Sequence, residues 1–247
     1  MRQETADVVA PSRAPAWAEP PRRRKTRVAA AVGASLATHV AILLDVILGE
    51  LAPGSRLDEQ ALALRYDAGL AGVRDALGRL ALEGLVVRKP RAGTTVAPLD
   101  LLDVRQDFEA RRLIEPHCAA LAAQNATAND IAALRRAFDG CEAAARDGDS
   151  RALILMDQKF HAALALATHN LTLAKIVIPL QHKAARIWAY SMADDTPDER
   201  LAEVERHKQI GECVARGDAQ AARDAMQGVL GAFLHSRVVA GRPDDER

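Results

Sequence analysis

Residues 58–96 read DEQALALRYDAGLAGVRDALGRLALEGLVVRKPRAGTTV, and this stretch decides the fold. Its apolar spacing predicts a short helix over Glu59–Tyr66, a tight turn at Asp67-Ala68-Gly69, and a second helix over Leu70–Glu83 that Gly84 stops. Leu85-Val86-Val87-Arg88 and Thr94-Thr95-Val96-Ala97 then read as two strands joined by a Lys89-Pro90-Arg91-Ala92-Gly93 turn. Helix, turn, helix and two-stranded wing is the order of a winged helix-turn-helix. Such a module is sized to set its second helix in the DNA major groove.

The chain has 247 residues, enough for one large domain or two small ones. Aromatic residues are scarce, which suits a helix-rich core of small and aliphatic side chains. The formal net charge is zero, but the charge is unevenly spread. Residues 1–27 carry seven basic and three acidic side chains, residues 28–98 seven of each, and residues 99–247 the remaining 19 basic and 23 acidic. A basic arm on a neutral module with an acidic body behind fits a protein that touches phosphate at one end. Cys118, Cys141 and Cys213 are odd in number and lack Cys-x-x-Cys spacing. They read as reduced, buried thiols of a cytoplasmic protein, not as a disulfide or zinc framework.

Val28–Leu44 contains no Asp, Glu, Lys or Arg and follows Arg22-Arg23-Arg24-Lys25, so it imitates a signal peptide or anchor. The run is shorter than the roughly 20 residues a bilayer needs, and it holds Ser35, Thr38 and His39. Leu36, Val40, Leu43, Leu44 and Ile47 recur at helical spacing, so an amphipathic first helix over about Val28–Glu50 is expected, with no membrane partner.

The resulting organisation has four parts: a disordered basic arm over 1–27, a winged helix-turn-helix over 28–98, an all-α body over 99–240, and a tail over 241–247. Body helices are expected at Leu101–Asn125, Asn129–Asp147, Arg151–Thr168, Leu171–Met192, Pro197–Arg216 and Ala219–Val239. Asp149, Asn170 and Thr196 stand where N-caps belong, and Gly148 and Gly217 mark helix ends. The fold class is therefore mainly α, a winged helix-turn-helix followed by a six-helix bundle.

Five short stretches, in this order and spacing, carry a family resemblance: Gly49-Glu50-Leu51-Ala52-Pro53-Gly54-Ser55-Arg56-Leu57, Val73-Arg74-Asp75-Ala76-Leu77, Leu82-Glu83-Gly84-Leu85-Val86, Phe108-Glu109-Ala110-Arg111-Arg112-Leu113-Ile114-Glu115, and Asp157-x-x-Phe160-His161. The chain resembles GntR-superfamily transcription regulators of the FadR-like branch, which join a winged helix-turn-helix to an all-helical FCD effector domain. The resemblance covers about Val40 to Leu230. It implies a homodimer on double-stranded DNA, controlled by a small effector bound in the body.

The family usually opens its recognition helix with Ser/Thr-Arg-Thr-Pro-Val-Arg. Here the stretch is Gly69-Leu70-Ala71-Gly72-Val73-Arg74, so the capping hydroxyl and the first arginine are gone and Arg74 remains. Direct readout needs donors and acceptors matched to base edges, and this helix offers few. Three readings stay open. Arg74, Arg79, Lys89 and Arg91 bind, with specificity from DNA shape, Leu70 or Ala71 against thymine methyls, and the arm. Alternatively Arg22, Arg23, Arg24, Lys25 and Arg27 read the minor groove. In the third, sequence reading is lost, and the protein senses a metabolite or metal and acts through protein partners. Arg79 reads equally as a surface residue facing away from DNA.

Asp157 and His161 are i and i+4 on one helix, so an oxygen and an imidazole share a face, half of a divalent-metal site. The resemblance implies two further histidines on the last two helices. His207 falls on the first position and Val229 on the second, so the fourth ligand is absent. Asp157, His161 and His207 read either as holders of Zn²⁺, Ni²⁺ or Mn²⁺ or as polar groups bonded to one another. His169, His182 and His235 are unplaced substitutes for the fourth ligand. Arg111 matches the family arginine that faces the cavity and clamps a small organic acid; alternatively it pairs with Glu115 at i+4. Asn170 has the position of a family asparagine after this helix, but its first reading is a helix N-cap. Two histidines and a carboxylate also describe a metal-dependent enzyme, but no second acid–base pair, nucleophile elbow or phosphate loop accompanies them. The chain is expected to be a regulator, most simply a repressor, and not an enzyme.

Overall fold

The computed structural model of the chain describes residues 22–91 and 93–233, apart from the side chains of residues 22–32, 101 and 193. Helix α1 runs Arg22–Ile47 and starts inside the stretch read as an arm. Its first residues, Arg22-Arg23-Arg24-Lys25, are good helix formers that follow the Pro20-Pro21 pair. Ile42, Leu43, Val46 and Ile47 are its buried face, whereas Leu36 and Val40 are exposed, so the apolar stripe sits one step round from the expected one.

Two-residue strand β1 (Arg56–Leu57) leads into α2 (Glu59–Arg65), capped by the Asp58 carboxylate on the Ala61 amide. Asp67 turns the chain at φ 47°, and α3 runs Leu70–Leu82. Strands β2 (Val86–Lys89) and β3 (Gly93–Val96) form the wing, with β3 between β1 and β2 and all pairs antiparallel. The winged helix-turn-helix expected from residues 58–96 is present within a residue or two at each boundary. Strand β1 was not foreseen, because two residues carry no alternation to detect.

The body is all α. Helices α4 (Leu101–Asn125), α5 (Ala128–Arg136), α6 (Cys141–Asp147), α7 (Ser150–Ala167), α8 (Leu171–Ser191), α9 (Pro197–Ala215) and α10 (Ala219–Phe233) follow in order. One expected helix, Asn129–Asp147, is two, so the described body has seven α-helices where six were expected, besides a 3-10 turn at Met192–Asp194. The break falls at Gly140, whose φ of 77° leaves the helical region. Thr127 and Asp130 form a capping box on α5, as Thr196 and Glu199 do on α9. Asp149 and Asn170 cap α7 and α8. The expected end of the last helix at Val239 lies outside the described residues. No helix among the described residues is long and apolar enough to cross a membrane.

One apolar cluster joins the two halves, running from Ile42, Val73 and Leu80 of the winged module to Leu153, Trp188 and Met192 of the body. Asp45 on α1 fixes the same junction with charge. Its carboxylate accepts from Arg65 (2.5 Å), Tyr66 (2.8 Å) and, on α7, Arg151 (3.2 Å). A second cluster around Phe108, Phe160, Ile210 and Met226 fills the bundle.

Candidate DNA interface and body cavity

The first turn of α3 and the wing border one cleft, lined by Arg56, Glu59, Gln60, Leu70, Arg74 and Gly93 among others. Leu70 and Arg74, one turn apart, share the exposed face of α3. Arg74 Nε donates to Glu59 Oε2 at 2.6 Å, and Arg88 donates to the Arg74 carbonyl. Lys89 and Arg91 are exposed on the wing, and Arg91 takes φ 63° at its tip. Arg79 is placed elsewhere. It pairs with Asp75 (3.0 Å), which accepts from Ser35 of α1, so Arg79 lies on the α1 side of the helix. The side chains of Arg24, Lys25 and Arg27 lie outside the described residues. Gly69 is the N-cap of α3 and makes no side-chain bond there, as its lack of a hydroxyl requires.

At this interface, Arg56 is a residue that sequence reasoning missed. It is exposed, its guanidinium lies over Gly93, and it borders both the α3 cleft and the groove along Lys89, Pro90 and Arg91. Its position on unforeseen β1 hid it; only its place in the Gly54-Ser55-Arg56-Leu57 motif could have signalled it.

In the body, α7 and α9 bring Asp157, His161 and His207 together, all buried. His161 Nε2 is 3.3 Å from Asp157 Oδ1 and 3.3 Å from His207 Nε2, and His207 Nε2 is 3.6 Å from Asp157 Oδ1. Burial alone raises a carboxyl pKa, yet the Asp157 carboxyl lies below its ordinary value because His161, then His207 and Arg111, outweigh it. Val229 lines the same cavity, with Trp188, Leu230 and Phe233 as its apolar wall.

Arg111 is buried, lines the cavity, and makes the intrahelical pair: its Nε donates to Glu115 Oε1 at 2.5 Å. It stacks over Phe108, whose ring stacks in turn on Phe233. Gln181 is oriented from both sides. Arg111 Nη2 donates to its Oε1 (2.9 Å), and its Nε2 donates to Glu115 and toward His161 Nδ1 (3.0 Å). The pairing of Arg111 with Glu115 was foreseen, but Gln181 was not, since it meets Glu115 across 66 residues of sequence. Asn170 is not brought to the cavity: its carbonyl caps α8 through the Thr172 and Leu173 amides. His169 pairs with Asp130 and His182 with Glu83, so neither completes the cluster. His235 lies outside the described residues.

The donor set fits a divalent cation. One carboxylate oxygen and two imidazole nitrogens all lie within 4.8 Å of one another, a mixture that suits Zn²⁺, Ni²⁺ or Mn²⁺. His207 Nδ1 donates to the Glu203 carbonyl at 2.9 Å, so its Nε2 lone pair faces the cluster. The Gln181 donor on Nδ1 leaves the His161 proton on Nε2, aimed at Asp157 and His207. A cation held by these three residues would need the His161 Nε2 lone pair, and therefore the other tautomer of that ring.

Comparison with known proteins places both halves. Residues 37–96 match the model of the gntR family of bacterial regulatory proteins, and residues 106–232 match the FCD domain. The chain is 31% identical over 201 residues to the HTH-type transcriptional regulator LutR of Bacillus subtilis, covering 72% of this chain and 89% of LutR. It is 27% identical over 216 residues to the putative L-lactate dehydrogenase operon regulatory protein of Escherichia coli, covering 76% of this chain and 80% of that protein. Among solved structures, E. coli McbR/YncC shares the fold with a TM-score of 0.72 at 20% identity, over 85% of this chain and 99% of that one. The chain belongs to the GntR family of DNA-binding transcription regulators, in the branch that carries an FCD domain.

Proposed function

We propose that this regulator is a repressor that holds operator DNA as a cytoplasmic homodimer and releases it when a small carboxylate metabolite enters the body cavity. The observation that carries the reading is Arg111 beside Asp157, His161 and His207, all buried around one cavity in a chain whose other half presents a basic wing. The relative named for an L-lactate dehydrogenase operon supports a small acid as the effector class. Leu102 and Leu113, eleven residues apart and so on one face of α4, are 63% and 81% exposed, which supports a second copy as partner.

The cavity is about 20 Å³ in this state, room for an ion but not for an organic acid. An effector therefore selects a more open arrangement, and occupancy shifts the population away from the DNA-competent one. Arg111 supplies the planar fork for its carboxylate, exchanging Glu115 for the ligand. Asp157, His161 and His207 would hold the cation; when bound it supplies a Lewis-acidic anchor for an anionic oxygen. Asn170 has no place in this scheme beyond capping α8.

The test is selection of the purified protein against random duplex DNA near physiological salt, then release from the enriched site by a panel of small organic acids with and without Ni²⁺. A two-fold symmetric site released by one acid, and not in Arg111→Ala, is the expected result. Salt-sensitive bulk binding without enrichment would sink the sequence-reading part. It would favour the rival reading of a metabolite or metal sensor working through protein partners, to which the uncapped start of α3 at Gly69 lends support.

A further inference from the structure

Helix α8 shows two faces to two different parts of the molecule. Gln181, Ala184, Ala185 and Trp188 line the body cavity. The next residues round the helix face the winged module. His182 Nδ1 donates to Glu83 Oε2 at 2.7 Å, and Arg186, one turn on, donates to the Ala97 carbonyl at 2.6 Å. Between them, the Lys183 stem closes on Gly84, where an added Cβ would sit 3.0 Å from Cε.

Glu83 is the C-cap of α3, the helix whose other end carries Leu70 and Arg74. Its carboxylate is largely buried, with 17% of the side chain exposed, and the second nearby imidazole is His39 of α1. His39 Nε2 stands 3.7 Å from Oε1, beyond hydrogen-bond length. Burial also holds the His39 pKa below its ordinary value, although Glu83 opposes this, so His39 is a poor donor of charge. His182 is therefore the hydrogen-bond partner of a desolvated carboxylate, and losing it removes the side-chain hydrogen bond that holds that carboxylate.

We infer that His182 is a positioning residue for DNA binding: acting through Glu83, it ties the end of the recognition helix to the helix that carries Gln181 into the cavity. Gln181 and His182 are consecutive, so any rotation or shift of α8 that follows a change at Arg111, Glu115 or His161 also moves the donor that holds Glu83. This coupling rests on the cavity being the effector site, but the tie itself is a property of the fold.

The experiment is hydrogen exchange of the full chain, read on peptides covering residues 70–84, in wild type, Gln181→Ala, His182→Leu, His182→Gln and the Gln181→Ala/His182→Leu pair. The expected result is about tenfold faster exchange in His182→Leu, the scale of a lost hydrogen bond to a charged group. His182→Gln, which keeps a donor, restores protection. Gln181→Ala speeds exchange in α3 when His182 is present and adds nothing in the pair, a non-additivity that a merely structural role lacks. Unchanged α3 exchange in Gln181→Ala, or full additivity in the pair, overturns the inference. A parallel titration with Ni²⁺ and organic acids separates the two ideas. If these leave the cavity helices α4 and α7 unprotected while the variants behave as stated, the effector reading fails and the tie stands.

Discussion

Glu59 holds Arg74 by one short ion pair, Oε2 to Nε at 2.6 Å, on the face of α3 that also carries Leu70. An acidic side chain on a DNA-facing surface repels phosphate, yet here it fixes the arginine's fork toward the cleft. Arg74→Ala is expected to weaken binding to the selected operator by about 1–3 kcal/mol and relax the preference at one base pair. Glu59→Gln moves two affinities in opposite directions: specific binding falls because the fork is freed, and non-specific binding rises because a negative charge is gone. Fluorescence anisotropy on the operator and on a scrambled duplex reads both. A parallel rise in the two would show that Glu59 only repels.

Arg56 and Arg79 form a contrast. Arg56 is exposed over Gly93 between cleft and wing, whereas Arg79 is paired to Asp75 on the α1 side. Arg56→Ala is expected to lower the salt slope of binding by about one ion across all sequences, and Arg79→Ala to leave it unchanged. A salt titration of each variant decides, and an equal loss in both would place α3 differently on the duplex.

Cys118 provides a check on the packing of α4 against α7 and α8, where Ala165, Ala174 and Val177 surround it. Burial, and then the neighbouring Glu115, push its thiol up to about 11. At pH 8 the thiolate is then on the order of one part in a thousand, and labelling by an alkylating reagent should be slow and rise with pH. Rapid labelling of native protein at pH 7 would mean that this cluster opens readily.

The winged module was legible because its punctuation is local: Asp67 and Gly84 both sit at positive φ, and the wing's two four-residue strands, both with β-branched residues, flank one short turn. The helix caps of the body were legible for the same reason, since Asp149, Asn170 and Thr196 each satisfy amides within three residues. The α5–α6 break was not, because Ala137-Phe138-Asp139 continues a helical pattern and Gly140 alone stops it. In the cavity, the Asp157/His161 pair follows from one helix, but Glu115, Gln181 and the Glu83–His182 bond join residues 66 to 99 positions apart. No periodicity reports such pairs. Arg111 shows the limit most plainly: it makes the intrahelical pair with Glu115 and lines the cavity at once, a placement that spacing along one helix does not report.

Asp45 shows how exposure sets the size of an effect. A carboxylate that binds Arg65, Tyr66 and Arg151 links α1, α2 and α7, and its own side chain is 6% exposed. Breaking a fully buried pair costs about 3–5 kcal/mol. Arg65 and Arg151, however, are 44% and 51% exposed and regain water when the partner goes. Asp45→Ala is therefore expected to cost nearer about 1–2 kcal/mol, chiefly through the half-buried Tyr66 hydroxyl. Denaturant unfolding of variant and wild type measures it, and a loss near the upper figure would mean that the arginines stay desolvated.

Val229 allows the metal reading to be tested by gain as well as loss. It lines the cavity beside Asp157, His161 and His207, where the family pattern has a histidine. His161→Ala and His207→Ala are expected to abolish Ni²⁺ binding while leaving DNA binding by the metal-free protein intact. Val229→His, by adding a third imidazole, should tighten it. Because the His161 proton sits on Nε2 in the Gln181-bonded state, a cation at Nε2 would require that proton to move to Nδ1, with the Gln181 amide turned to accept it. Calorimetry in two buffers of different ionisation heat checks this: a tautomer shift within a neutral ring releases no net proton per ion, whereas displacement from a protonated ring releases about one. If Val229→His fails to tighten binding and both alanine variants keep their metal, the three residues are a hydrogen-bonded cluster and the effector is held by Arg111 alone.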